Sequence, residues 1–513
     1  MTSLDTRVAE LAAQYLPLAK EILAEVIRVP ADYVERDPND GGDPLCGLSN
    51  HEGPRLEYLK KRIVEIGAVR HSDDVFFDEY GNLVWTVQDP DDGIAPADKR
   101  VVYFDGHTDT VKALRGAWRE KTGGIDAYDG VVDAKKVDRA FLRRELGHVP
   151  GDDEWQHLLF GRGSADQLGG VVAEVIATKI MLELASEGAL KGVIVRAYGT
   201  AAEEDNDGGG PMYVMDKLLP GADPSLVPDV VVLTEGTGDA NKGALGIYRG
   251  QRGRMQIEVA VTGRSCHGSM PWEGLNPLEY SGAIIWEAAE QYNARQGFLD
   301  DPFLGHGTRT ASWAQLDTPS DCAVPDRFVF RFDRRLTVGE DPQEAVKAIE
   351  NLASVARARE AGLTVEVAVP RYEQPTWRGY TPGNPQIYPG WMTPADHPVI
   401  GAAVATYDGV VTPNIAADTP ATGGNLRREA RVDRWIFSTD GVGFAVPASD
   451  ERITVPEKKG WVVAGPTRHP PMFGIGPGQE QNTHKIGECV DTRELQHAVA
   501  FLARFPSVFA AGS

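Results

Sequence analysis

Hydrophobic residues in the first half of the chain follow two patterns. Apolar residues spaced three or four positions apart, such as Val8, Leu11 and Val26, are typical of amphipathic helices. This spacing predicts helices over 6–28, 53–66 and 167–187. Short apolar runs predict strands covered on both faces, over 82–87, 101–104, 192–198 and 229–233. Alternating strands and helices indicate an α/β fold, with helices on both faces of a sheet.

The pattern changes near Gly250, where apolar and polar residues begin to alternate. This period of two is typical of antiparallel strands with one solvated face and occurs over 254–262, 327–332 and 363–369. Helical spacing recurs over 276–296, 341–360, 397–407 and 491–505. Prolines and glycines over 380–385 indicate a linker. We therefore predict a larger domain in two parts, 1–249 and 379–513, with a smaller α+β domain, 250–378, inserted between them.

Composition narrows the classes of partner. The chain has 513 residues, 52 of them basic and 75 acidic, which gives a net charge of −23. A negative field repels nucleic acid and anionic membranes, so neither is an expected partner. The cysteines are scattered without a CxxC pair, which favours a reducing compartment. The first turns carry Asp5, Arg7 and Glu10, unlike a secretory signal peptide, and apolar runs are short, so we expect a cytoplasmic location.

Polar residues with metal-binding chemistry follow several predicted strands. His107 and Asp109 close one strand, where the carboxylate can orient the imidazole through its second nitrogen. Glu203 and Glu204 follow another, and Glu235 a third. Each feature alone also has an ordinary explanation, such as a polar turn or a solvated acidic loop.

Two further residues complete the set. Asp166 lies between a glycine-rich turn and a helix, where it is either an N-cap or a carboxylate shared by two cations. His484 lies in a late loop. Two histidines with three carboxylates, and no cysteine, suit Zn²⁺ or a similar divalent ion. Two such ions that share a carboxylate can lie about 3.5–4 Å apart.

The order and spacing of these residues resemble the di-zinc metallopeptidase family of acetylornithine deacetylase, succinyl-diaminopimelate desuccinylase, aminoacylase and carboxypeptidase G. The matching segments are GHTDT, GRGSADQ, AAEED, LTEGT, CHGSMPWEGLNP and GPGQEQNTHK. They occur in the family's order across nearly the whole chain. Within the family, YRGQRGRMQIEV, SCHGS, DRRLT and FSTDGVG look most like hydrolases found near selenium- and purine-metabolism clusters.

The resemblance implies a mixed zinc-peptidase sheet flanked by helices and an inserted lid and dimerisation domain. It implies two Zn²⁺ ions per subunit, with Co²⁺ or Mn²⁺ as alternatives. One ion would take His107, Asp166 and Glu235, and the other Asp166, Glu204 and His484. Asp109 would orient His107, and the Asp166–Gln167 peptide would be cis. Glu203 would be the general base that deprotonates the attacking water.

The resemblance also assigns roles to the inserted domain. His267 would reach the partner subunit's site in a homodimer formed through 250–378 and stabilise the oxyanion there. A nucleophilic Cys266–His267 pair is a weaker reading, because adjacent side chains rarely face each other. Asn276 with Arg335 or its neighbour Arg334 would hold a substrate carboxylate. Three residues of the turn after Phe437 would also contact the substrate: Ser438, Thr439 and Gly441.

These features predict a hydrolase that uses zinc-activated water to cleave the amide bond of an N-acyl amino acid or small peptide with a free carboxylate. Glu235, where other branches carry aspartate, resembles the deacylase and carboxypeptidase branches.

The first alternative is an aminopeptidase or dipeptidase on the same scaffold. A catalytically silent binding protein would lack a metal ligand or the base, and none is missing here. A serine hydrolase would need a GxSxG elbow, and the sequence has none. The irregular stretches 112–157 and 409–433 are longer than usual for the family, and either could reshape the substrate pocket.

Overall fold

The fold is described from a computed structural model, which covers residues 2–31, 51–132, 134–146, 150–152, 154–415 and 426–512. The α-helices are α1 Ser3–Ile27, α2 Gly53–Glu65, α3 Arg115–Lys121, α4 Arg139–Glu145, α5 Leu168–Glu183, α6 Glu203–Asn206, α7 Gly209–Tyr213, α8 Pro277–Asn293, α9 Pro342–Glu350, α10 Ala353–Glu360, α11 Pro398–Val410 and α12 Thr492–Ala511. Strands up to residue 262 are β1 Val75–Phe77, β2 Leu83–Gln88, β3 Arg100–His107, β4 Leu158–Phe160, β5 Val193–Thr200, β6 Val230–Leu233, β7 Ile247–Gln251 and β8 Gly253–Thr262. Later strands are β9 Cys266–His267, β10 Asp300–Asp301, β11 Gly305–His306, β12 Thr308–Asp317, β13 Ala323–Val324, β14 Arg327–Leu336, β15 Thr364–Ala368, β16 Ile387–Tyr388, β17 Trp391–Met392, β18 Val432–Trp435, β19 Val446–Pro447, β20 Val462–Ala464, β21 Thr467–His469, β22 Met472–Gly474 and β23 Cys489–Asp491.

A nine-stranded mixed sheet forms the larger unit. Its strands run in the order β1-β2-β5-β3-β6-β22-β7-β17, and β18 also pairs with β7. The central strands β5, β3, β6 and β22 are parallel, and β18 also pairs with β7 in parallel. The remaining pairs of this sheet are antiparallel. Side chains alternate between two apolar layers, with Val102 and Phe104 in one layer and Tyr103 in the other. Helices α1, α5, α11 and α12 pack in the first layer, which explains why α5 is apolar on all sides.

A five-stranded antiparallel sheet forms the smaller unit. Its strands run in the order β12-β14-β8-β15, and β16 also pairs with β8. The apolar residues that alternate along β8 and β14, such as Ile257 and Phe330, pack with α8, α9 and α10. Strand β12 lies at one edge of this sheet and leaves most of its side chains exposed.

The structure confirms the α/β class and the predicted elements, with ends that shift by a few residues. The helix predicted over 341–360 is two helices, α9 and α10, that meet at Asn351 and Leu352. The stretch 112–157, predicted as irregular, contains α3 and α4. Part of the second irregular stretch, 416–425, lies outside the described residues, as does Cys46. The domain boundaries at 249 and 378 stay a prediction. No described helix combines the length and apolar character that a membrane crossing requires.

Candidate metal centre

The carboxyl ends of three adjacent parallel strands bring the predicted acidic and histidine residues together. His107 is the last residue of β3, Glu203 and Glu204 open the short helix α6 just after β5, and Glu235 follows β6. Because β5, β3 and β6 are neighbours, their ends share one edge of the sheet. Open α/β sheets form their functional crevices at this edge.

Asp166 lies at the centre of the group. One of its carboxylate oxygens is 3.1 Å from Nε2 of His107, and the other is 3.0 Å from Nε2 of His484. Glu235 lies 3.5 Å from the same His107 nitrogen, and Glu204 lies 3.1 Å from the His484 nitrogen. The five side chains therefore form two sets, one around each histidine, that share Asp166.

This donor set fits divalent cations. Ligand atoms of His107, Asp166 and Glu204 all lie within 4.8 Å of one another, close enough to hold one ion. Imidazole nitrogen and carboxylate oxygen are ligands that zinc accepts. Asp166, with one oxygen toward each histidine, has the arrangement that a carboxylate bridging two ions requires.

Asp109 fixes the position of the neighbouring groups. Its carboxylate accepts the backbone N–H groups of Glu203 and Glu204, each at 3.0 Å. One of its oxygens is also 3.4 Å from Nδ1 of His107. Asp109 therefore holds the imidazole with Nε2 directed at Asp166, and it fixes the start of α6 relative to β3.

The electrostatics of the cluster favour bound positive charge. Burial alone would raise the pKa of the Asp166 carboxyl, but His107 and His484 outweigh it and hold this pKa below its usual range. Burial lowers the pKa of His484, but Asp166 and Glu204 raise it to about 11 overall. Burial also raises the pKa of Glu203 well above its ordinary value, and the charge of His107 opposes that effect. Such a concentration of carboxylates in a buried site requires cations to balance it.

A buried ion pair supports the turn that carries Asp166. The Glu488 carboxylate accepts the backbone N–H groups of Ala165 and Asp166, at 3.0 and 3.1 Å. Its second oxygen pairs with Arg162 at 2.6 Å, and both side chains are fully buried. The Asp166–Gln167 peptide is cis, as the resemblance implied. These contacts fix the carboxylate between the two histidines.

A cavity of about 360 Å³ opens directly over the cluster. Arg335 and Ser438 line it, and a guanidinium nitrogen of Arg335 donates to the Ser438 hydroxyl at 3.2 Å. Arg334 points to the opposite face of β14, where it pairs with Glu340 and stacks on Phe298. The alternation of side chains along a strand therefore leaves Arg335 as the cavity-facing member of the two.

Four other predicted residues are not brought to the cluster within this chain. His267 is solvent exposed, and its Nδ1 lies 2.7 Å from the Ser269 hydroxyl. Asn276 caps the N-terminus of α8. Thr439 is buried and donates to Gln251, and Gly441 lies beside it in a buried 3-10 turn. The roles predicted for these residues stay predictions.

Four residues that were not predicted as site residues also line the cavity: Asp207, Arg254, Phe437 and Thr483. Asp207, Phe437 and Thr483 are close in sequence to predicted site residues, so their sequence positions alone could have indicated them. Arg254 is different, because it lies on β8, far from the other site residues in sequence. Its sequence signals are its polar position in the alternating pattern of that strand and its place in the segment YRGQRGRMQIEV, and neither marked it as a site residue.

Comparison with known proteins places this site in a family. Residues 249–360 match the M20 peptidase dimerisation domain. The chain is 31% identical over 492 residues to the uncharacterized protein YgeY of Escherichia coli, which covers 96% of both chains. It is 35% identical over 123 residues to a probable succinyl-diaminopimelate desuccinylase of Staphylococcus aureus, or 24% of this chain and 26% of that one.

A solved structure shares the fold. The di-peptidase Dug1p from Saccharomyces cerevisiae matches with a TM-score of 0.63 at 11% identity, over 99% of both chains. The full-length relative, the dimerisation domain and the shared fold agree with the resemblance seen in the sequence. The chain belongs to the M20 metallopeptidase family, whose members are metal-dependent hydrolases of peptide and related amide bonds.

Proposed function

We propose that the protein hydrolyses the amide bond of an N-acyl amino acid or small peptide that carries a free carboxylate. The observation that supports this most is the cavity itself, which is lined by a carboxylate-binding group, Arg335 with Ser438, and by four of the five proposed metal ligands, all but His107. A guanidinium beside a hydroxyl is well suited to bind a carboxylate. The amide bond of a bound substrate would then lie over Asp166.

The metal ligands proposed are the five side chains of the cluster. His107, Asp166 and Glu235 would hold one Zn²⁺, and Asp166, Glu204 and His484 the other. Bound there, the ions would polarise the substrate carbonyl and acidify a water molecule. Co²⁺ or Mn²⁺ are alternative occupants of such a donor set.

Glu203 is proposed as the general base. Its carboxylate is buried, lies 3.9 Å from Nε2 of His107, and lines the cavity. Burial raises its pKa, and this makes the carboxylate a better proton acceptor from water. The same group would then deliver that proton to the departing amine.

The protein is proposed to act as a homodimer through the inserted segment 250–378. Strand β12 is an edge strand, and unpaired edges readily pair with a second chain. Four large apolar side chains on β12 and α8 are exposed, namely Leu278, Trp286, Trp313 and Leu316. Large apolar groups of this kind normally lie in an interface. His267 lies beyond the β12–β14 hairpin, on β9, from which it would reach the partner's cavity.

A hydrolysis panel tests the substrate class. Zinc-loaded protein is incubated with N-acetyl, N-succinyl and N-carbamoyl amino acids and with free-amine dipeptides, and products are followed by mass spectrometry. We expect cleavage of N-blocked substrates and slower cleavage when the substrate carboxylate is amidated. Cleavage confined to free-amine dipeptides would move the protein to the dipeptidase alternative, and equal cleavage of amidated substrates would remove Arg335 as an anchor.

Replacement of Glu203 tests the chemistry. We expect Glu203→Gln to lower kcat about 10²–10⁴-fold, the usual contribution of a general base, because glutamine cannot accept the proton. The matched control is Glu279→Gln on α8, which removes a carboxylate from the first turn of a helix in the inserted segment. Zinc content, measured by elemental mass spectrometry, should equal that of the wild type in both variants. Near-normal turnover of Glu203→Gln would assign the base elsewhere.

A further inference from the structure

A line of alternating charges runs from the proposed substrate anchor to the loop that carries Glu203. It begins at Arg335, whose Nε lies 2.8 Å from one oxygen of Asp333. The other Asp333 oxygen lies 3.4 Å from Nε of Arg254. Nη1 of Arg254 lies 3.0 Å from Asp207, which follows Glu203 and Glu204 on the same loop. Four charged side chains thus connect β14 of the five-stranded sheet to the metal-centre loop.

The strand register explains why the two arginines require these acids. Arg254 and Arg335 are direct cross-strand partners on β8 and β14, and like charges in such pairs repel. Asp333 precedes Arg335 by two residues, so it lies on the same face and can contact both guanidinium groups. Asp207 supplies a second acid from the end of α6, in the larger unit. The arrangement is charge-balanced only when the loop and the five-stranded sheet are docked together.

A second contact docks the same loop on the same sheet. Tyr388 on β16 is the cross-strand neighbour of Arg254 on its other side, and its hydroxyl donates to Asn206 at 2.7 Å. Asn384 exchanges side-chain hydrogen bonds with Asn206, each 3.1 Å long. Residues 206 and 207 therefore contact the five-stranded sheet side by side, directly after the helix that begins with Glu203.

Asp207 is held in an unfavourable backbone conformation. Its φ of 42° with ψ of −124° lies outside the regions that residues with a side chain normally adopt. Such conformations cost of order 1–3 kcal/mol and persist where other contacts enforce them. Asp207 is buried, and one of its carboxylate oxygens has no hydrogen-bond partner among the described residues. A glycine would fit this backbone better, so the aspartate is retained at a conformational cost.

We propose that Arg254 and Asp207 are positioning residues that link occupancy of Arg335 by a substrate carboxylate to the placement of Glu203. A carboxylate bound to Arg335 neutralises that guanidinium and so removes its repulsion of the facing Arg254. Arg254 then stays between Asp333 and Asp207, and this contact fixes the loop after Glu203. Substrates without the carboxylate should consequently have a lower kcat as well as a higher KM. This inference rests on the proposed roles of Arg335 and Glu203.

The test compares one substrate with its carboxylate-amidated form in the wild type and in Arg254→Met. The wild type should turn over the carboxylate form with the higher kcat. In Arg254→Met we expect kcat for that form to fall about 10- to 100-fold, as misplacement of a catalytic group by about 1 Å produces, while kcat for the amidated form changes little. Arg254→Lys keeps the charge and should restore part of the loss.

A control variant separates coupling from simple loss of an ion pair. Arg504 on α12 and Asp5 on α1 form an ion pair at 2.7 Å that joins two distant segments, outside the cavity lining and the inserted segment. Arg504→Met should leave both kcat values unchanged. Asp207→Gly relieves the backbone strain that Asp207→Asn keeps, so its melting temperature should equal or exceed that of Asp207→Asn while kcat falls as in that variant.

Three outcomes would overturn the proposal. The first is a kcat of Arg254→Met equal to that of Arg504→Met, the second is an equal loss for both substrates, and the third is full turnover by Asp207→Gly. These outcomes are distinct from a failure of the proposed function. That failure would appear instead as normal turnover in Glu203→Gln, or as a wild type that does not distinguish the two substrates.

Discussion

The nine-stranded and five-stranded sheets present their functional side chains to different environments. At the ends of β3, β5 and β6, the carboxylates and His107 are buried and contact one another within a single chain. In the smaller unit, His267 on β9 is exposed, and so are Trp272 and Trp286, at 75% and 67% of their surface. The negative charge of the first region, at the strand ends, needs only cations to balance it. The second region, the smaller unit, has functional groups that a single chain leaves exposed to solvent.

This difference indicates which functions depend on assembly. Buried carboxylates without compensation are unstable, so the first region is expected to respond to metals and to be insensitive to protein concentration. Exposed aromatic side chains cost little in a monomer but are favourable in an interface, so the second region is expected to respond to dimerisation. The two regions can therefore be perturbed separately.

Metal removal is expected to have the largest effect, and only through the first region. Chelation leaves Asp166, Glu203, Glu204 and Glu235 close together without a balancing charge, so activity should be lost entirely. The melting temperature should also fall, because an ion at a hundredfold excess over its Kd stabilises a protein by about 2.7 kcal/mol. Calorimetry with and without chelator measures this shift, and added Zn²⁺ should reverse it. A chelated protein with unchanged melting temperature and activity would contradict the proposed metal centre.

Loss of His267 should have the next largest effect. We expect His267→Ala to lower kcat about 10²–10³-fold, the usual contribution of one oxyanion donor. Metal content and oligomeric state should not change, because this exposed side chain forms its hydrogen bonds with Ser269 of its own loop. His306→Ala is a suitable control, since that histidine lies on β11 of the same segment. Equal activity of the two variants would show that His267 has no part in the reaction.

Disruption of the proposed interface should have a similar or smaller effect. Trp286→Glu places a charge where an apolar side chain is proposed to be buried by the partner, so the protein should become monomeric in analytical ultracentrifugation. Activity should fall no further than in His267→Ala, and it should recover partly at high protein concentration. Val463→Glu is the matched control, because Val463 is as exposed but lies on β20 of the other unit. A dimer that survives Trp286→Glu would place the interface on another surface.

The smallest effect on activity is expected from the buried histidines, which change the pH dependence of stability. Burial lowers the pKa of His469 and of His497 to about 4, so both stay neutral in the folded protein while the unfolded chain takes up protons below about pH 6.5. The free energy of unfolding should therefore fall as pH is lowered from about 6.5 to 4, by up to about 1.4 kcal/mol per pH unit for each histidine. Urea titrations of wild type and His497→Gln measure this slope. An identical slope in the two proteins would exclude His497 as a contributor.

The sequence predicted most of the fold and the centre of the site, for physical reasons. Buried strands and amphipathic helices leave periodic patterns, and β3, β5 and β6 place their final residues at one edge because parallel strands must. His107, Glu203 and Glu235 were therefore expected to meet, and they do. The contact of His484 with Asp166 followed from the family resemblance and not from any local pattern.

Other features could not be predicted because they depend on tertiary contacts between distant segments. Arg335 lines the cavity and Arg334 does not, because they lie on opposite faces of β14. A shift of one residue in strand register would exchange the two faces. The pairing of Arg254 with Asp207 joins two different sheets. The support of Asp166 by Glu488 and Arg162 joins segments more than 300 residues apart in sequence.

The central claim is that the metal centre is complete within one chain, whereas His267 acts in the partner's site. Subunit mixing tests this claim most directly. Glu203→Gln and His267→Ala are each purified, then mixed in equal amounts, dissociated and reassociated. In a mixed dimer, the site with an intact Glu203 would receive His267 from the Glu203→Gln subunit, so about a quarter of wild-type activity should return in a randomly paired two-fold dimer. Activity that stays at the level of the separate variants would show that His267 does not act across a subunit interface.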